Sequence, residues 1–279
     1  MSVDIFSSIW THQGSQDHAL AFAQSSGFEG IEGPVPDARD ARSAFLNSLK
    51  ESDLLMVAEI CTATEEGHYV PIPGASVREH LDSLEARLEN ALLANPLFIT
   101  TMAGSDAWSY RDVIAFHTGV LELMDRYDII ISVETHRTRC LFHPWVTRDV
   151  LQELPDLRIT CDFSHWCVVA ERLVLNDEPD ILRLMARHAH HFHARIGYAQ
   201  GPQVPDPRAP EYQEAREAHE SWWQSIRKVQ KSEGCDHWTL TPEAGPDGYL
   251  QTIPFTEEPL ANLNEINQWM GKRQKPLWQ

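Results

Sequence analysis

Several apolar runs of this 279-residue chain end in ionisable side chains, and those ends are where chemistry can collect. Glu134 closes the run Ile-Ile-Ile-Ser-Val, Asp162 sits in ITCDFSHW with His165 three residues later, and Glu243 precedes a Gly-Pro turn in LTPEAGP. In HHFHARIG, two-residue alternation puts His191, His193 and Arg195 on one face of an extended segment. Taken singly, each is a strand-end residue or part of a polar layer. Together, Glu134, Asp162, His193 and Glu243 supply three carboxylates and one imidazole, an oxygen and nitrogen donor set suited to Mn²⁺, Mg²⁺, Co²⁺ or Zn²⁺ rather than a thiolate-seeking metal. One divalent cation leaves a single negative charge over. That favours a site in which one carboxylate also accepts and releases a proton.

These residues need a scaffold that brings distant segments to one place. Strand-like runs occur at 5–10, 28–32, 54–60, 97–101, 129–134, 158–162, 190–195 and 238–243. Each is followed by a segment with apolar residues at three- and four-residue steps: 17–26, 38–52, 77–94, 111–127, 147–154, 179–189, 211–232 and 259–271. Ser76, Ser109 and Asp177 are the expected helix caps. Strand then helix, eight times without a break in composition, predicts an α/β fold of one domain over residues 1–279, a (β/α)8 barrel with a short basic tail at 271–279. The turn after the first strand, Thr11-His12-Gln13-Gly14-Ser15, is not the glycine-rich fingerprint of a doubly wound dinucleotide fold. In a barrel the catalytic face lies at the strands' C-terminal ends, where Trp10, His12, Glu32, Glu59, Glu134, His136, Asp162, His165, the HHFHAR residues and Glu243 all fall.

Composition removes other function classes. Lys and Arg total 23 against 41 Asp and Glu, a formal charge of −18, which opposes attraction to phosphate backbones and anionic membranes. No apolar run reaches membrane-spanning length, and the first residues show no signal-peptide pattern, so a cytoplasmic location is expected. Five scattered cysteines without a CxxC pair read as reduced packing residues. Neither a glycine-rich loop opening a helix nor a basic cluster near strands seven and eight supplies a phosphate cradle, so an unphosphorylated sugar, polyol or keto-sugar is the expected substrate.

GFEGIEG, SVETH, CDFSH, HFHARIG and TPEAGP, taken with the eightfold alternation, resemble the xylose isomerase-like TIM barrel superfamily of sugar isomerases and epimerases, ketose 3-epimerases, inosose dehydratases and barrel-type apurinic endonucleases. The resemblance spans essentially the whole chain. It implies one divalent metal, Mn²⁺ first, on Glu134, Asp162, His193 and Glu243, and a dimer or tetramer. It also matches Asp162 and His165 to the epimerases' Asp-x-x-His step, and His193 and Arg195 to the His-x-Arg that follows. The acidic charge departs from the endonuclease branch, and the proline-rich loop GYAQGPQVPDPRAPEY has no obvious counterpart in the epimerases.

The implied chemistry is proton abstraction beside a carbonyl through a metal-stabilised enediolate, with Glu134 and Glu243 as base and acid. His165, Arg195, His136, Trp10 and Glu32 are the expected substrate contacts, with Trp166 and Tyr198 as further wall residues and His68 on a long loop that could close as a lid. A lyase or dehydratase acting by β-elimination uses the same site, and a non-catalytic sugar-binding barrel is the remaining alternative.

Overall fold

The computed structural model describes residues 1–12, 15–65, 68–246 and 248–279, so Gln13 and Gly14 of the first turn and part of the His68 loop lie outside the described residues. Eight strands, β1 (Ser2–Ser8), β2 (Gly30–Gly33), β3 (Leu55–Cys61), β4 (Ile99–Met102), β5 (Ile131–Glu134), β6 (Arg158–Cys161), β7 (Ala189–His193) and β8 (His237–Thr241), form one closed barrel in chain order. Every neighbouring pair is parallel, and β1 closes the ring on β8 in the register Ser2↔His237 to Ile5↔Leu240. The chain is a single-domain (β/α)8 barrel. The closing seam joins segments 235 residues apart, and the Ser2 hydroxyl meets His237 Nδ1 across it at 2.8 Å.

Nine helices appear among the described residues: α1 (Gln16–Ser26), α2 (Arg39–Ser52), α3 (Val77–Ala91), α4 (Tyr110–Tyr127), α5 (Pro144–Glu153), α6 (Ser164–Val169), α7 (Pro179–His188), α8 (Gln213–Ser232) and α9 (Leu263–Gln274). Ser76 caps α3 in a full capping box with Glu79, and Ser109 caps α4 through Asp112 N. Asp177 is not a cap, a correction to the expectation. α7 starts at Pro179, whose fixed φ and missing N–H suit the first helical position without a side-chain acceptor. The short α6 was not expected, and α9 starts four residues later than predicted because Pro259 is drawn into a bridge with Thr252. The segment 271–279 is no loose tail: it continues α9 and a 3-10 turn, and Trp278 is fully buried against Phe192 and Trp238.

Strand alternation sorts the side chains. On β5, Ile131 and Val133 join the main apolar core between strands and helices, leaving Ser132 and Glu134 to the barrel interior. At the base of that interior Phe6, Val57 and Phe98 pack together as an apolar plug. Gly30 makes this possible, since a Cβ there would lie 2.5 Å from the Phe6 ring. Above the plug the filling is polar: Thr100 donates to Thr160 Oγ1 and Thr160 to Ser132 Oγ, both at 2.8 Å. His191 stands on the same level, held by the Thr239 and Thr241 hydroxyls at 2.8 and 3.0 Å. Above this layer the ionisable residues begin. No helix among the described residues is long and apolar enough to cross a membrane.

Candidate metal centre and cavity

Glu134 ends β5, Asp162 and Glu243 lie just beyond β6 and β8, and His193 ends β7. One donor atom from each falls within 4.8 Å of the others, and all four residues are buried. The structure thus brings together the four side chains that the sequence grouped. Their tethers are specific. Ser164 N and Oγ donate to Asp162 Oδ1, at 3.0 and 2.5 Å, while Thr135 Oγ1 bonds the Asp162 backbone at 2.9 and 2.8 Å. Trp10 Nε1 donates to Glu243 Oε1 at 2.9 Å.

Arg195 changes the charge balance. Its Nε and Nη2 reach Asp162 Oδ2 at 3.0 and 2.6 Å, and Nη2 reaches Glu243 Oε2 at 2.8 Å, so one buried guanidinium bridges two of the three carboxylates. With a divalent cation added, three carboxylates and Arg195 become neutral, which corrects the single negative charge left by counting carboxylates alone. Burial pushes Glu134 up, assisted by Glu243 and Asp162 and opposed by His193. Glu243 moves down despite burial, because Arg195 and His193 hold its charged form. Burial raises Asp162 against the pull of Arg195.

The residues fit a divalent cation. Glu134 Oε1 and His193 Nδ1 are buried without a hydrogen-bond partner, although Nδ1 lies 2.8 Å from Glu243 Oε2 and 3.5 Å from Glu134 Oε1. Oxygen and nitrogen donors packed this closely repel one another unless a proton or a cation sits between them. His193 can fill that gap in the metal-free protein, since Glu243, Glu32 and Glu134 raise its pKa well above the ordinary value although burial opposes this.

A cavity of about 380 Å³ opens above the cluster, lined among others by Trp10, Glu59, Tyr69, Glu134, His136, Arg195, Glu243 and Tyr249. Of the four cluster residues, Glu134 and Glu243 face the cavity, whereas Asp162 and His193 stand behind them. Of the expected substrate contacts, Trp10, Arg195 and His136 line the cavity, as does His68. His165 does not. It lies beneath His136 with ring centroids 3.9 Å apart, its two nitrogens unpartnered and Nε2 3.6 Å from Asp162 Oδ2. Burial keeps both imidazoles neutral. Glu32 is the clearest correction: it is 2% exposed, does not line the cavity, and its carboxylate is turned down the barrel onto His191 and His193. Trp166 is fully buried, donating to Leu141 O, and Tyr198 packs edge-on against Tyr212, so neither forms a cavity wall.

Sequence reasoning did not find Tyr249. Its hydroxyl meets His136 Nε2 at 3.2 Å and its ring lies under the Arg195 guanidinium at 4.5 Å. Its only signal was position, a few residues after the turn that follows Glu243. Arg139 was also missed: fully buried, it donates to the carbonyls of Thr62, Gly104 and Tyr69 and so ties the β3 loop to the β4 loop beside the cavity. The proline-rich loop after β7 serves as a brace, because Gln203 bonds Gly245 N and O at 2.8 and 3.2 Å. Gly245 is needed where Trp10 crosses it, since a Cβ would lie 1.8 Å from the indole. Gly245→Ala should therefore push Trp10 off Glu243 and cost about tenfold or more in turnover, read together with a shift in tryptophan emission.

Glu59 faces the cavity from β3, and its pKa is raised to about 8 by burial and then by Glu32, Glu243 and Glu134. Its folded value exceeds the unfolded one of 4.5, so the contribution of this group to the stability of the metal-free protein is lost as pH rises from about 4.5 to 8, with nothing further from it above that. Glu59→Gln should flatten that slope and stabilise the metal-free protein at pH 8 by on the order of 2–4 kcal/mol, measured by urea unfolding across pH.

A model of the xylose isomerase-like TIM barrel family matches residues 20–262. The chain belongs to this family. No curated protein sequence matches it. Among solved structures, it is similar to a probable 3-DHS dehydratase, AsbF, involved in petrobactin synthesis from Bacillus anthracis (17% identity, 96% of this chain and 97% of that one, TM-score 0.57). It is also similar to a D-allulose 3-epimerase from Methylomonas sp. in complex with D-allulose (11%, 98% and 97%, TM-score 0.59) and to an L-ribulose 3-epimerase (10%, 100% and 94%, TM-score 0.63). At these identities the likeness is one of fold.

Proposed function

We propose that this xylose isomerase-like barrel is a divalent-metal-dependent sugar isomerase or epimerase acting on an unphosphorylated sugar or keto-sugar. One observation carries the reading: of four clustered metal-type side chains, two carboxylates, Glu134 and Glu243, face the same cavity, while Asp162 and His193 stand behind them. Glu134, Asp162, His193 and Glu243 would hold the cation, Mn²⁺ being the first candidate, which when bound polarises a substrate carbonyl and stabilises the negative charge that builds on its oxygens. Glu134, raised by burial, is suited to take a proton from the carbon beside the carbonyl, and Glu243, within the same cluster, to return one. Arg195, which reaches the cavity while paired to Asp162 and Glu243, supplies positive charge where substrate oxygens would gather. Trp10 and Tyr249 give apolar faces against which a sugar ring can pack. D-Allulose in the Methylomonas epimerase supports this substrate class.

Tyr249 favours β-elimination as a second reading. Burial keeps its hydroxyl protonated, and it faces the cavity beside His136, where it could protonate a departing hydroxyl. The test is proton NMR in D₂O of the Mn²⁺-loaded protein with ketoses, aldoses and 3-keto-sugars. Deuterium beside the carbonyl without loss of mass supports isomerisation or epimerisation. An unsaturated or dehydrated product replaces that reading with the lyase, and silence with Mn²⁺ bound overturns the substrate class.

A further inference from the structure

We infer that Glu32 selects which nitrogen of His193 faces the carboxylate cluster, making Glu32 and His191 positioning residues of the metal site; this rests on the reading of Glu134, Asp162, His193 and Glu243 as ligands. An imidazole offers its lone pair to a metal only from the nitrogen without a proton, and the partner of the other nitrogen decides which one that is. His193 Nε2 lies 2.9 Å from Glu32 Oε1, whereas Nδ1 lies between Glu243 Oε2 and Glu134 Oε1 without a hydrogen bond. Glu32 accepts the Nε2–H, so Nδ1 is left for the cluster.

The rest of the arrangement holds Glu32 in that role. Its second oxygen meets His191 Nε2 at 3.2 Å, and His191 is itself fixed through Thr239 and Thr241. The carboxylate stands on β2 and both imidazoles on β7, so the contact is a strut across the barrel interior rather than a bond between neighbouring strands. Glu32 and His191 do not line the cavity, which leaves substrate contact no part in explaining them. One level below, Phe6, Val57 and Phe98 fill the same barrel with apolar groups. A buried carboxylate is a costly filler beside that alternative. The strut is accounted for by what it does to His193.

The experiment combines Mn²⁺ titration calorimetry with long-range ¹H–¹⁵N spectra of the histidines in Mg²⁺-loaded protein, for wild type, Glu32→Leu and Glu32→Gln. Wild type is expected to show His193 as the Nε2–H form. Glu32→Leu should lose 10- to 100-fold in Mn²⁺ affinity and the single His193 form. Glu32→Gln, whose amide oxygen can still accept the Nε2–H, should recover much of the affinity and keep that form. Wild-type Mn²⁺ affinity in a folded Glu32→Leu protein overturns the inference. If Glu32→Leu does not fold, Glu32→Gln decides: the Nε2–H form and the Mn²⁺ affinity kept together, or lost together, support the inference, and either one changing without the other overturns it. If wild type binds no Mn²⁺, the metal reading fails, and spectra of metal-free protein at a pH where His193 is neutral decide the role of Glu32: loss of the single Nε2–H form in Glu32→Leu supports it, and the same form in wild type and Glu32→Leu overturns it.

Discussion

Glu134→Gln and Glu243→Gln should each remove most of the turnover, by about 10²–10⁴-fold, while leaving the barrel folded. The amide keeps the size and one oxygen of each side chain but cannot take up a proton. The pair test separates the two roles. Glu134 lacks a hydrogen-bonded partner at Oε1, so its loss should fall on proton abstraction and leave Trp10, Arg195 and Glu243 in place. Glu243 is bonded to both Trp10 and Arg195, so Glu243→Gln should in addition loosen those two groups and raise KM. Steady-state rates with the substrate identified by deuterium exchange read both effects, and full activity in Glu243→Gln would remove that residue from proton transfer.

The second large effect is on folding. Arg195→Ala should destabilise the metal-free protein by about 3–5 kcal/mol, because Asp162 and Glu243 lose the cation that bridges them and stay buried. Excess Mn²⁺ should return part of the loss, since a cation held by Glu134, Asp162, His193 and Glu243 would stabilise the native state by mass action beside the same carboxylates. Arg195→Lys keeps the charge but not the planar fork that contacts two carboxylates at once, and belongs between wild type and alanine. Urea unfolding with and without Mn²⁺ measures this, and a wild-type midpoint for Arg195→Ala would mean that Asp162 and Glu243 are not both charged.

The fold was legible because each strand carries its own periodic signal and each is followed by a helical one. The structure lengthens or trims these by a few residues and adds the short α6 after β6, without changing their order. The grouping of Glu134, Asp162, His193 and Glu243 was legible for the same reason, since strand ends in a closed parallel barrel share a rim. Depth was not legible. Two-residue alternation places His191 and His193 on one face, but it does not say that Glu32, from a strand that is not their neighbour, spends its carboxylate on both of them rather than on the cavity. Tyr249, Gln203 and Arg139 escaped because they come from loops, where no periodicity announces direction and partners such as Gly245 or the Thr62 carbonyl are distant in sequence.

The seam between β1 and β8 bears on how the molecule reaches its native state. Until those strands meet, the sheet has two open edges with unpaired backbone groups, and the pairing that removes them joins the most distant segments of the fold. The same event brings Trp10 to Glu243, 233 residues away. Ring closure therefore also completes the tether on Glu243, so an incompletely closed chain is at once prone to aggregate and without the indole that holds one carboxylate of the cluster in place. Refolding yield should fall as protein concentration rises for that reason, linking the setting of the rim to the kinetics of folding.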